Sequence, residues 1–302
     1  MTSPGNYFAG NYLDRRAEER ATEQWLAAAR ADPDTRYIAL HGTATLMQPD
    51  ESGAATRIAF LTHDDPRVAN ASPENLMLLG WFRGLRCVMV ELDPDTPESA
   101  QADLARGESF AELRPLALNL EPDDAGLLAY ARALTIWRGN HRYCGRCGSP
   151  TVATRAGHAR RCSRCDHESF PRIDPAIIVL VRNGERALLG RQPSWPPKRY
   201  STIAGFVEPG ESLEDAVRRE VREETAIEVT AVHYHSSQPW PFPSALMLGF
   251  IADGLDATPV TQDAELEDAQ WFTREQVHSG EILLPPPESI SRRLIEHWLK
   301  AI

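Results

Sequence analysis

Three glutamates stand close together in the second half of the chain, at positions Glu220, Glu223 and Glu224. If this segment is helical, spacings of three and four residues place the carboxylates on one side of the helix. Like charges this close repel one another, so the cluster costs stability unless cations neutralise it. Clustered oxygen ligands suit Mg²⁺ or Mn²⁺, which bind phosphates, polarise phosphorus and activate water. Taken alone, however, three glutamates are more typical of an acidic surface helix.

The residues just before these glutamates predict the helix that carries them. Ser212 is a good N-cap, and Asp215, three residues later, can complete a start that resembles a capping box. An apolar stripe follows at helical spacing, formed by Leu213, Ala216, Val217 and Val221. We therefore expect an amphipathic helix with Glu220 at the edge of its buried face.

Four of the five cysteines follow the pattern Cys-x2-Cys-x14-Cys-x2-Cys, at Cys144, Cys147, Cys162 and Cys165. Four thiolates at this spacing can close a tetrahedron around Zn²⁺ from two facing turns, where Gly145 and Gly148 are expected to adopt positive φ. A redox role more usually involves a single such pair. A zinc ion with four protein ligands has no open position, so we expect it to stabilise the fold of this module.

The charge distribution around the cysteines leaves two interpretations open. Residues 138–172 contain eight arginines against Asp166 and Glu168, a net formal charge of +6. A basic zinc-binding module suggests nucleic-acid binding. The alternative, a basic face that is solvated or packs against an acidic neighbouring domain, is favoured because the whole chain is acidic.

Length and composition describe an ordinary globular protein. The formal net charge of -11 over 302 residues argues against a general nucleic-acid or membrane-surface binder. No apolar run reaches the roughly 18 residues of a membrane span, and the first residues lack a signal-peptide layout. Five cysteines are too few for a disulfide scaffold, and residues 299–302 are not a Ser-Lys-Leu-type address. We therefore expect a cytoplasmic protein.

Hydrophobic patterns predict mixed α and β structure on both sides of the cysteines. Helices are predicted at residues 14–31 and 123–137. Short strands are predicted at residues 37–40, 58–61, 76–81 and 87–92, with Cys87 as a small buried residue. A buried strand at residues 176–181 and a second at 187–190 flank an Asn183-Gly184 turn, which predicts a hairpin.

The glutamates belong to a longer string, Gly-x5-Glu-x7-Arg-Glu-U-x-Glu-Glu-x-Ala-U, in which U is aliphatic and which runs from Gly205 to Ile227. This string resembles the Nudix box, with Ala226 at the position of its second glycine. A glycine there would end the helix with positive φ, so Ala226 implies strain or a different exit. Because all charged positions are intact, the resemblance outweighs the interpretation as an acidic surface helix.

Residues 237–245, Ser-Gln-Pro-Trp-Pro-Phe-Pro-Ser-Ala, resemble the segment that marks the NADH pyrophosphatase (NudC-type) branch of the Nudix hydrolases, with Ala245 replacing a serine. Three prolines stiffen this segment, and Trp240 and Phe242 offer faces for stacking a nicotinamide or adenine ring. The resemblance extends from about Phe8 to the C-terminus. It implies an α+β protein with a Nudix α-β-α sandwich at residues 172–302, a zinc ribbon at 138–171 and a Nudix-like mixed α/β domain at 1–137.

The resemblance also assigns roles residue by residue. It implies a catalytic metal site formed by the Ala204 carbonyl, Glu220, Glu224 and Glu265, with Glu223 as a further ligand or water-activating group and Glu267 as a competitor for the place of Glu265. Glu211 and Arg219 are expected to form an ion pair. The substrate contacts that it implies are Phe170, Gln238, Pro239, Trp240, Pro241, Phe242, Pro243, Ser244, Ala245 and Ser291.

Two departures weaken the contacts expected from the ribbon. Gly157 stands where the family has a glutamate, and Phe170 stands where it has a tyrosine, which removes a hydroxyl. Neither change affects the residues that are expected to bind the catalytic metal.

The activity implied is metal-dependent hydrolysis of the diphosphate in NADH or NAD⁺, giving NMNH or NMN and AMP. Removal of NAD caps from RNA 5′ ends uses the same chemistry and is a second hypothesis. A third is a zinc-ribbon RNA-binding protein whose Nudix domain is silent, which the intact glutamates argue against. The resemblance further implies a homodimer, a structural Zn²⁺ and catalytic Mg²⁺ or Mn²⁺.

Overall fold

The computed structural model describes residues 5–22, 24–50, 53, 56–93, 95–97, 102–103, 106–261 and 265–301. The chain divides into two compact units. The N-terminal unit contains Gly10–Arg172 and Pro241–Ser244, and the C-terminal unit contains Met1–Ala9, Ile173–Trp240 and Ala245–Ile302. The proline-rich segment, residues 237–245, is therefore divided, because Pro241–Ser244 groups with the N-terminal unit and the rest with the C-terminal unit.

A mixed sheet forms the core of the N-terminal unit. Its strands within the described residues are β1 (Leu13–Asp14), β2 (Arg36–His41), β3 (Ala44–Pro49), β4 (Thr56–Ile58), β5 (Phe60–Leu61), β6 (Leu76–Phe82), β7 (Leu85–Glu91) and β8 (Ser109–Ala111). The order is β1-β6-β7-β2-β3-β4, with β5 paired to β2 and β8 to β3. Strands β2 and β7 are parallel. The predicted strands are confirmed, except that residues 58–61 are interrupted at Ala59.

The predicted continuous helix at residues 14–31 is wrong. Two short helices, α1 (Ala17–Arg20) and α2 (Trp25–Ala31), occupy part of it, while Asp14 pairs with strand β6. Strand pairing is possible because Gly80 in β6 has no side chain, since a Cβ there would lie 2.2 Å from the carbonyl oxygen of Asp14. Tertiary contacts thus override a locally helical pattern.

The remaining α-helices in the described part of this unit precede the cysteines. They are α3 (Pro66–Ala69), α4 (Leu113–Leu116) and α5 (Pro122–Asn140). Turns of 3₁₀ helix lie at Pro73–Asn75, at Ala117–Asn119 and, between the two cysteine pairs, at Arg155–Gly157. Helix α5 confirms the prediction at residues 123–137 and extends it at its C-terminal end. Cys87 is buried as predicted, and burial raises the pKa of its thiol.

The cysteine region forms a small antiparallel sheet in the order β11-β10-β9. Its strands are β9 (Thr151–Thr154), β10 (Ala159–Cys162) and β11 (Glu168–Ser169). Gly148 has a φ of 71°, as predicted, because its N–H closes a turn onto the carbonyl oxygen of Cys144 at 2.9 Å. The prediction for Gly145 is wrong, since positive φ is confined to the last residue of this turn.

The C-terminal unit is built on a second mixed sheet. Its strands are β12 (Asp174–Asn183), β13 (Arg186–Arg191), β14 (Ile203–Phe206), β15 (Val229–Trp240), β16 (Ala245–Gly254) and β17 (Asp268–Thr273). The order is β15-β16-β12-β13-β17, with β14 paired to β12. The predicted hairpin is confirmed, since β12 and β13 are joined at Asn183 and Gly184.

Helices cover both faces of this sheet. Within the residues that the structure describes, they are α6 (Leu213–Thr225), α7 (Arg274–His278) and α8 (Ile290–Lys300). Ile177, Val179 and Val181 of strand β12 pack in one cluster with the apolar stripe of α6, whereas Ile178 and Leu180 pack in another with α8. This is the predicted α-β-α sandwich. Of the helices in the described ranges, none combines the length and apolar character needed to span a membrane.

Candidate active site and zinc cluster

Helix α6 begins and ends at residues singled out by the sequence. The Ser212 hydroxyl accepts a hydrogen bond from the Asp215 backbone N–H at 3.2 Å and donates one to the Asp215 carboxylate at 2.6 Å. Ala226 follows the helix in the left-handed conformation, with φ of 59°. The chain therefore keeps the exit that glycine would provide and places an alanine in a strained conformation.

Arg219 links the start of the Nudix box to its carboxylates. Its guanidinium makes two hydrogen bonds to Glu211, at 2.6 and 2.9 Å, and one to the carbonyl oxygen of Phe206 at 2.9 Å. It also donates to Glu220 at 2.9 Å and to Glu223 at 3.0 Å. The hydrogen bonds from Arg219 lower the pKa of Glu211 to about 2. One cation thus holds the loop and two of the carboxylates in place.

Glu220 lies directly over the backbone of Gly205. A Cβ at Gly205 would be 1.9 Å from the Glu220 carboxyl carbon, so only glycine leaves room for this carboxylate. Burial raises the pKa of Glu220 above its ordinary value, and Glu223 and Glu265 raise it further, while Arg219 opposes them. A cation bound at this carboxylate would oppose both the desolvation and the repulsion from its acidic neighbours, and so would lower its pKa.

The other two carboxylates of the cluster differ in exposure. Glu224 is 4% exposed, whereas the Glu223 side chain is 52% exposed. The buried Glu224 suits a fixed ligand, and the exposed Glu223 can reach solvent. The two exposures differ because consecutive residues of a helix point in different directions.

Ala204 and Glu265 complete the donor set that the sequence analysis singled out. Ala204 lies in β14 opposite Ile178 of β12, in the same strand as Gly205. Glu265 is exposed and acts electrostatically on Glu220. Its competitor Glu267 is ion-paired with Arg191. With either Glu265 or Glu267 as the late acidic group, the candidate donors are all oxygens of the kind that Mg²⁺ and Mn²⁺ prefer.

Gln238 is fully buried and its side-chain amide is engaged within the C-terminal unit. The amide nitrogen donates to the carbonyl oxygens of Tyr7 at 3.2 Å and Glu288 at 2.7 Å, and the amide oxygen accepts from the Ile290 N–H at 2.8 Å. Trp240 is half-buried, with its ring 6.3 Å from that of Phe8. The Gln238 amide is thus engaged with the protein's own backbone, whereas the Trp240 ring is partly exposed.

Phe242 lies in a cleft of about 540 Å³ in the N-terminal unit. Glu112, Pro115 and Pro243 also line it. The guanidinium groups of Arg114 and Arg132 lie over the Phe242 ring at 5.4 and 5.3 Å, and Arg132 donates to the Pro241 carbonyl oxygen at 3.0 Å. Neither arginine belongs to a sequence motif, so neither was predicted, and only the folding of the chain brings them to this segment.

Ser291, Phe170 and Gly157 were also singled out by the family resemblance, and they lie outside the proline-rich segment. Ser291 is buried at the start of α8, where its hydroxyl bonds to the hydroxyls of Ser201 and Thr202, each at 2.8 Å. Phe170 is exposed, with the guanidinium of Arg155 over its ring at 5.4 Å. Gly157 has φ of 92° and packs against Met77. Pro239, Ser244 and Ala245 flank Trp240 and Phe242 along the chain and are half-buried.

The four cysteine sulfurs form one cluster, with all ligand atoms within 4.8 Å of one another. Sγ–Sγ distances are 3.7 Å for Cys144–Cys165, 3.4 Å for Cys147–Cys162 and 3.6 Å for Cys147–Cys165. Zn–S bonds of about 2.3 Å in a tetrahedron give sulfur separations of roughly 3.8 Å, so the cluster fits zinc. Backbone N–H groups of Arg146 and Arg164 point at the sulfurs, each at 3.4 Å.

Several arginines of the basic region pack against acids of the same unit. Arg160 is buried and pairs with Glu74 at 2.8 Å, and the buried Arg138 pairs with Glu91 at 3.4 Å. Arg142, Arg146 and Arg164 remain exposed. The basic face is therefore partly a packing surface and partly open.

Comparison with known proteins identifies the family. The NUDIX domain matches residues 172–298, the NADH pyrophosphatase zinc ribbon domain matches residues 140–170, and the NADH pyrophosphatase-like rudimentary NUDIX domain matches residues 34–137. The chain belongs to the Nudix hydrolases, and within them to the NADH pyrophosphatase group that combines these three domains. The four-cysteine cluster falls inside the zinc ribbon, which supports a structural zinc site.

Similar proteins span most of the chain. The NAD-capped RNA hydrolase NUDT12 of Macaca fascicularis is 34% identical over 98% of this chain and 73% of its own length. The NAD-capped RNA hydrolase NudC of Stutzerimonas stutzeri is 42% identical over 73% of this chain and 76% of its own. The NudC of Mycobacterium bovis, with the same description, is 38% identical over 93% and 88%.

Proposed function

We propose that this protein is a metal-dependent NAD(H) diphosphatase that hydrolyses NADH or NAD⁺ to NMNH or NMN and AMP. The observation that carries the proposal is the seating of Glu220 over Gly205, next to Ala204 and joined to Glu223 through Arg219. An acidic surface helix would need no such close fit. The matching domains and the names of the similar proteins support the substrate class.

The metal site in this proposal consists of the Ala204 carbonyl, Glu220, Glu224 and Glu265, with Mg²⁺ or Mn²⁺ as the cation. A divalent cation there supplies neutralisation of the diphosphate and activation of a water molecule. Arg219 keeps Glu220 and Glu223 oriented, and Glu223 serves as a further ligand or accepts a proton. The organised carboxylates speak against a silent Nudix domain.

The aromatic residues of the proline-rich segment are proposed to bind the rings of the dinucleotide. Trp240 offers a partly exposed face, and Phe242 offers another beside Arg114 and Arg132, of which Arg132 is ion-paired with Glu112 at 2.8 Å. Gln238 acts indirectly by fixing the strand that leads into this segment. Ser291, whose hydroxyl is engaged internally, has a similar positioning role, and Phe170 would add only an aromatic face.

The test of this proposal is hydrolysis of NADH with Mg²⁺ or Mn²⁺ by the full chain. Glu224→Gln keeps the shape of the side chain but removes its charge, so we expect kcat to fall about 100-fold or more. Glu228→Gln, at an exposed position just beyond helix α6, is the matched control and should leave kcat unchanged. Undiminished turnover in Glu224→Gln would show that this carboxylate is not a metal ligand.

A second activity, removal of NAD caps from RNA 5′ ends, is favoured by the names of the similar proteins and by the exposed arginines of the ribbon. The same diphosphate bond is cut, so the catalytic residues are the same. The ratio of kcat/KM for NAD-capped RNA to that for free NAD⁺ measures the preference. A ratio far below one would remove capped RNA as a substrate.

We further propose one structural Zn²⁺ per chain, three domains at residues 1–137, 138–171 and 172–302, and a homodimer. Metal analysis should find one zinc in the native chain and none in Cys162→Ala, with Cys87→Ala as a control that retains the zinc.

Sedimentation equilibrium of the full chain tests the proposed homodimer. A reducing compartment such as the cytoplasm suits the four thiolates and the free Cys87.

A further inference from the structure

A turn near the start of the chain, residues 6–9, belongs to the C-terminal unit, although the next segment of that unit begins at Ile173. In this N-terminal turn, the Ala9 N–H donates a hydrogen bond to the carbonyl oxygen of Asn6 at 3.1 Å. Asn6 is 7% exposed and Phe8 is 2% exposed. Chain ends are usually poorly ordered unless contacts tie them down, so two buried side chains in one turn indicate a specific contact.

Hydrogen bonds join the N-terminal turn to strand β15, which leads into the proline-rich segment. The Asn6 amide nitrogen donates to the hydroxyl of Ser236 at 3.0 Å and to the carbonyl oxygen of Ser237 at 2.7 Å. In the other direction, the Gln238 side-chain amide donates to the carbonyl oxygen of Tyr7 at 3.2 Å. Because the bonds run both ways, the turn and the strand fix each other.

The Phe8 ring contacts Trp240 at the end of this strand. The two ring centroids are 6.3 Å apart and the ring planes are inclined at 64°, an edge-to-face arrangement that aromatic pairs prefer. Phe8 has a φ of 65°, a left-handed conformation that residues with a side chain disfavour. A residue keeps such a conformation only where its surroundings hold it there. Packing of the buried Phe8 ring and the bonds of the turn provide that hold.

Trp240 is the residue through which the N-terminal turn can affect a ligand. Its ring is partly exposed, whereas Phe8 and Gln238 are buried. Stacking on a planar ring requires an aromatic side chain in a defined orientation. Fixing that orientation before the ligand arrives lowers the entropy lost on binding. A contact that fixes Trp240 in the free protein therefore strengthens binding without touching the ligand.

We propose that Asn6 and Phe8 are positioning residues, which hold the Trp240 ring in the orientation that stacks on a ring of the dinucleotide. This inference rests on the proposed function, in which Trp240 binds the substrate. Phe8 acts on the Trp240 ring directly, and Asn6 fixes the turn that carries Phe8. The carboxylates that perform the chemistry are held by other residues, so the N-terminal turn affects KM and not kcat.

The test is steady-state hydrolysis of NADH by the full chain carrying Phe8→Leu, which keeps an apolar side chain and removes the ring. We expect KM to rise about fivefold, at the low end of the loss of a base–aromatic stack, while kcat changes by less than about twofold. Asn6→Ala removes both hydrogen bonds to the strand and should raise KM in the same direction. Unchanged KM in Phe8→Leu would overturn the positioning role.

Phe272→Leu is the matched control for the loss of a buried phenylalanine. Phe272 is 4% exposed and lies in β17, at the opposite edge of the sheet from β15. This substitution should lower Tm, because it leaves a cavity in the core, and leave KM for NADH unchanged. An equal rise of KM in Phe272→Leu and Phe8→Leu would assign the effect to stability and contradict the proposal.

A double-mutant cycle shows whether Phe8 acts through Trp240. If it does, Phe8→Leu causes no further rise of KM in a chain that already carries Trp240→Ala. Effects that multiply independently would mean that Phe8 influences binding by another route, which would overturn the proposal.

The NMR resonance of the Trp240 indole N–H provides a measurement that needs no turnover. The resonance is assigned by its loss from the spectrum of Trp240→Phe. Phe8→Leu removes a ring 6.3 Å away and should shift it, whereas Phe272→Leu should not. An unmoved resonance in Phe8→Leu would overturn the contact. Absence of NADH hydrolysis by the native chain would refute the proposed function, whereas a shifted resonance with unchanged KM would refute the positioning role alone.

Discussion

At the scale of single residues, the candidate active site depends on one arginine and one glycine. Arg219 joins Glu211, Glu220 and Glu223, so it offsets the repulsion that makes a carboxylate cluster costly. Gly205 leaves the space in which the Glu220 carboxylate lies. The contacts of Arg219 and the space at Gly205 thus give a physical reason for the spacing of the glycine, the arginine and the glutamates in the Nudix box.

Gly205→Ala is predicted to abolish most activity without unfolding the protein. The new Cβ would lie 1.9 Å from the Glu220 carboxyl carbon, so this carboxylate must move. A displacement of about 1 Å at a catalytic group costs roughly 100-fold in rate, and kcat for NADH hydrolysis measures it. Gly139→Ala is the control, because no atom lies within 4 Å of the added Cβ. Normal activity in Gly205→Ala would argue against a fixed position for Glu220.

The ion pair of Glu211 predicts a defined pH dependence of stability. Arg219 lowers the pKa of Glu211 from 4.5 to about 2, so the pairing stabilises the fold fully above pH 4.5. This contribution is lost as the pH falls from 4.5 towards 2, where Glu211 becomes protonated in the folded state. The difference in unfolding free energy between the native chain and Glu211→Gln should shrink over that range. Acid effects on the zinc cysteines are common to both proteins and cancel in the difference.

At the scale of elements, helix α6 carries the chemistry and ends in a conformation that alanine disfavours. Ala226 has φ of 59°. A left-handed conformation costs a non-glycine residue about 1–2 kcal/mol, which the packing of Ile227 and the rest of the sandwich core must outweigh. Alanine in place of the family's glycine therefore lowers the stability of the fold but leaves the carboxylates of helix α6 in place.

Ala226→Gly is predicted to stabilise the protein. Removal of the left-handed strain gains about 1–2 kcal/mol, and the greater freedom of glycine in the unfolded chain takes back roughly 0.4–1 kcal/mol. The net gain of about 1 kcal/mol should raise Tm by roughly 2–4 °C in a thermal scan. Ala216→Gly, in the buried middle of the same helix, should lower Tm instead. A fall in Tm for both variants would contradict the strain at Ala226.

At the scale of the whole molecule, the charge is divided along the chain. The formal net charge is -11, yet residues 138–172 carry a net +6. Part of this positive charge is used internally, since Arg160 pairs with Glu74 and Arg138 with Glu91. The packing interpretation is thus supported for these two arginines, whereas the side chains of Arg142, Arg146 and Arg164 are exposed to solvent.

If NAD-capped RNA is a substrate, the exposed ribbon arginines should bind its chain. Replacing Arg146 and Arg164 with glutamine is expected to lower kcat/KM for capped RNA at low salt, while kcat/KM for free NAD⁺ stays constant. In a plot of log kcat/KM for capped RNA against log salt concentration, the slope should become shallower by roughly one unit for each lost phosphate contact. Arg222→Gln, at an exposed position of helix α6, is the matched control. Equal losses on both substrates would assign these arginines a structural role.

Much of the fold and site follows from local pattern. The apolar stripe of α6, its Ser212 cap, the buried strand around residues 176–181 and the cysteine spacing each specify a local arrangement that the structure contains. The failed helix at residues 14–31 shows the limit of such patterns. A strand pairing between Asp14 and β6, made possible by Gly80, outweighed the helical periodicity.

The sequence by itself determined the family, the metal-binding cysteines and the carboxylate helix, because each depends on residue types at short fixed spacings. Only the tertiary structure showed that the Gln238 amide is engaged internally, that Arg114 and Arg132 lie over Phe242, and that Glu267 pairs with Arg191. These features join residues far apart in the chain, and their contacts depend on how strands and helices pack, which local spacing does not encode.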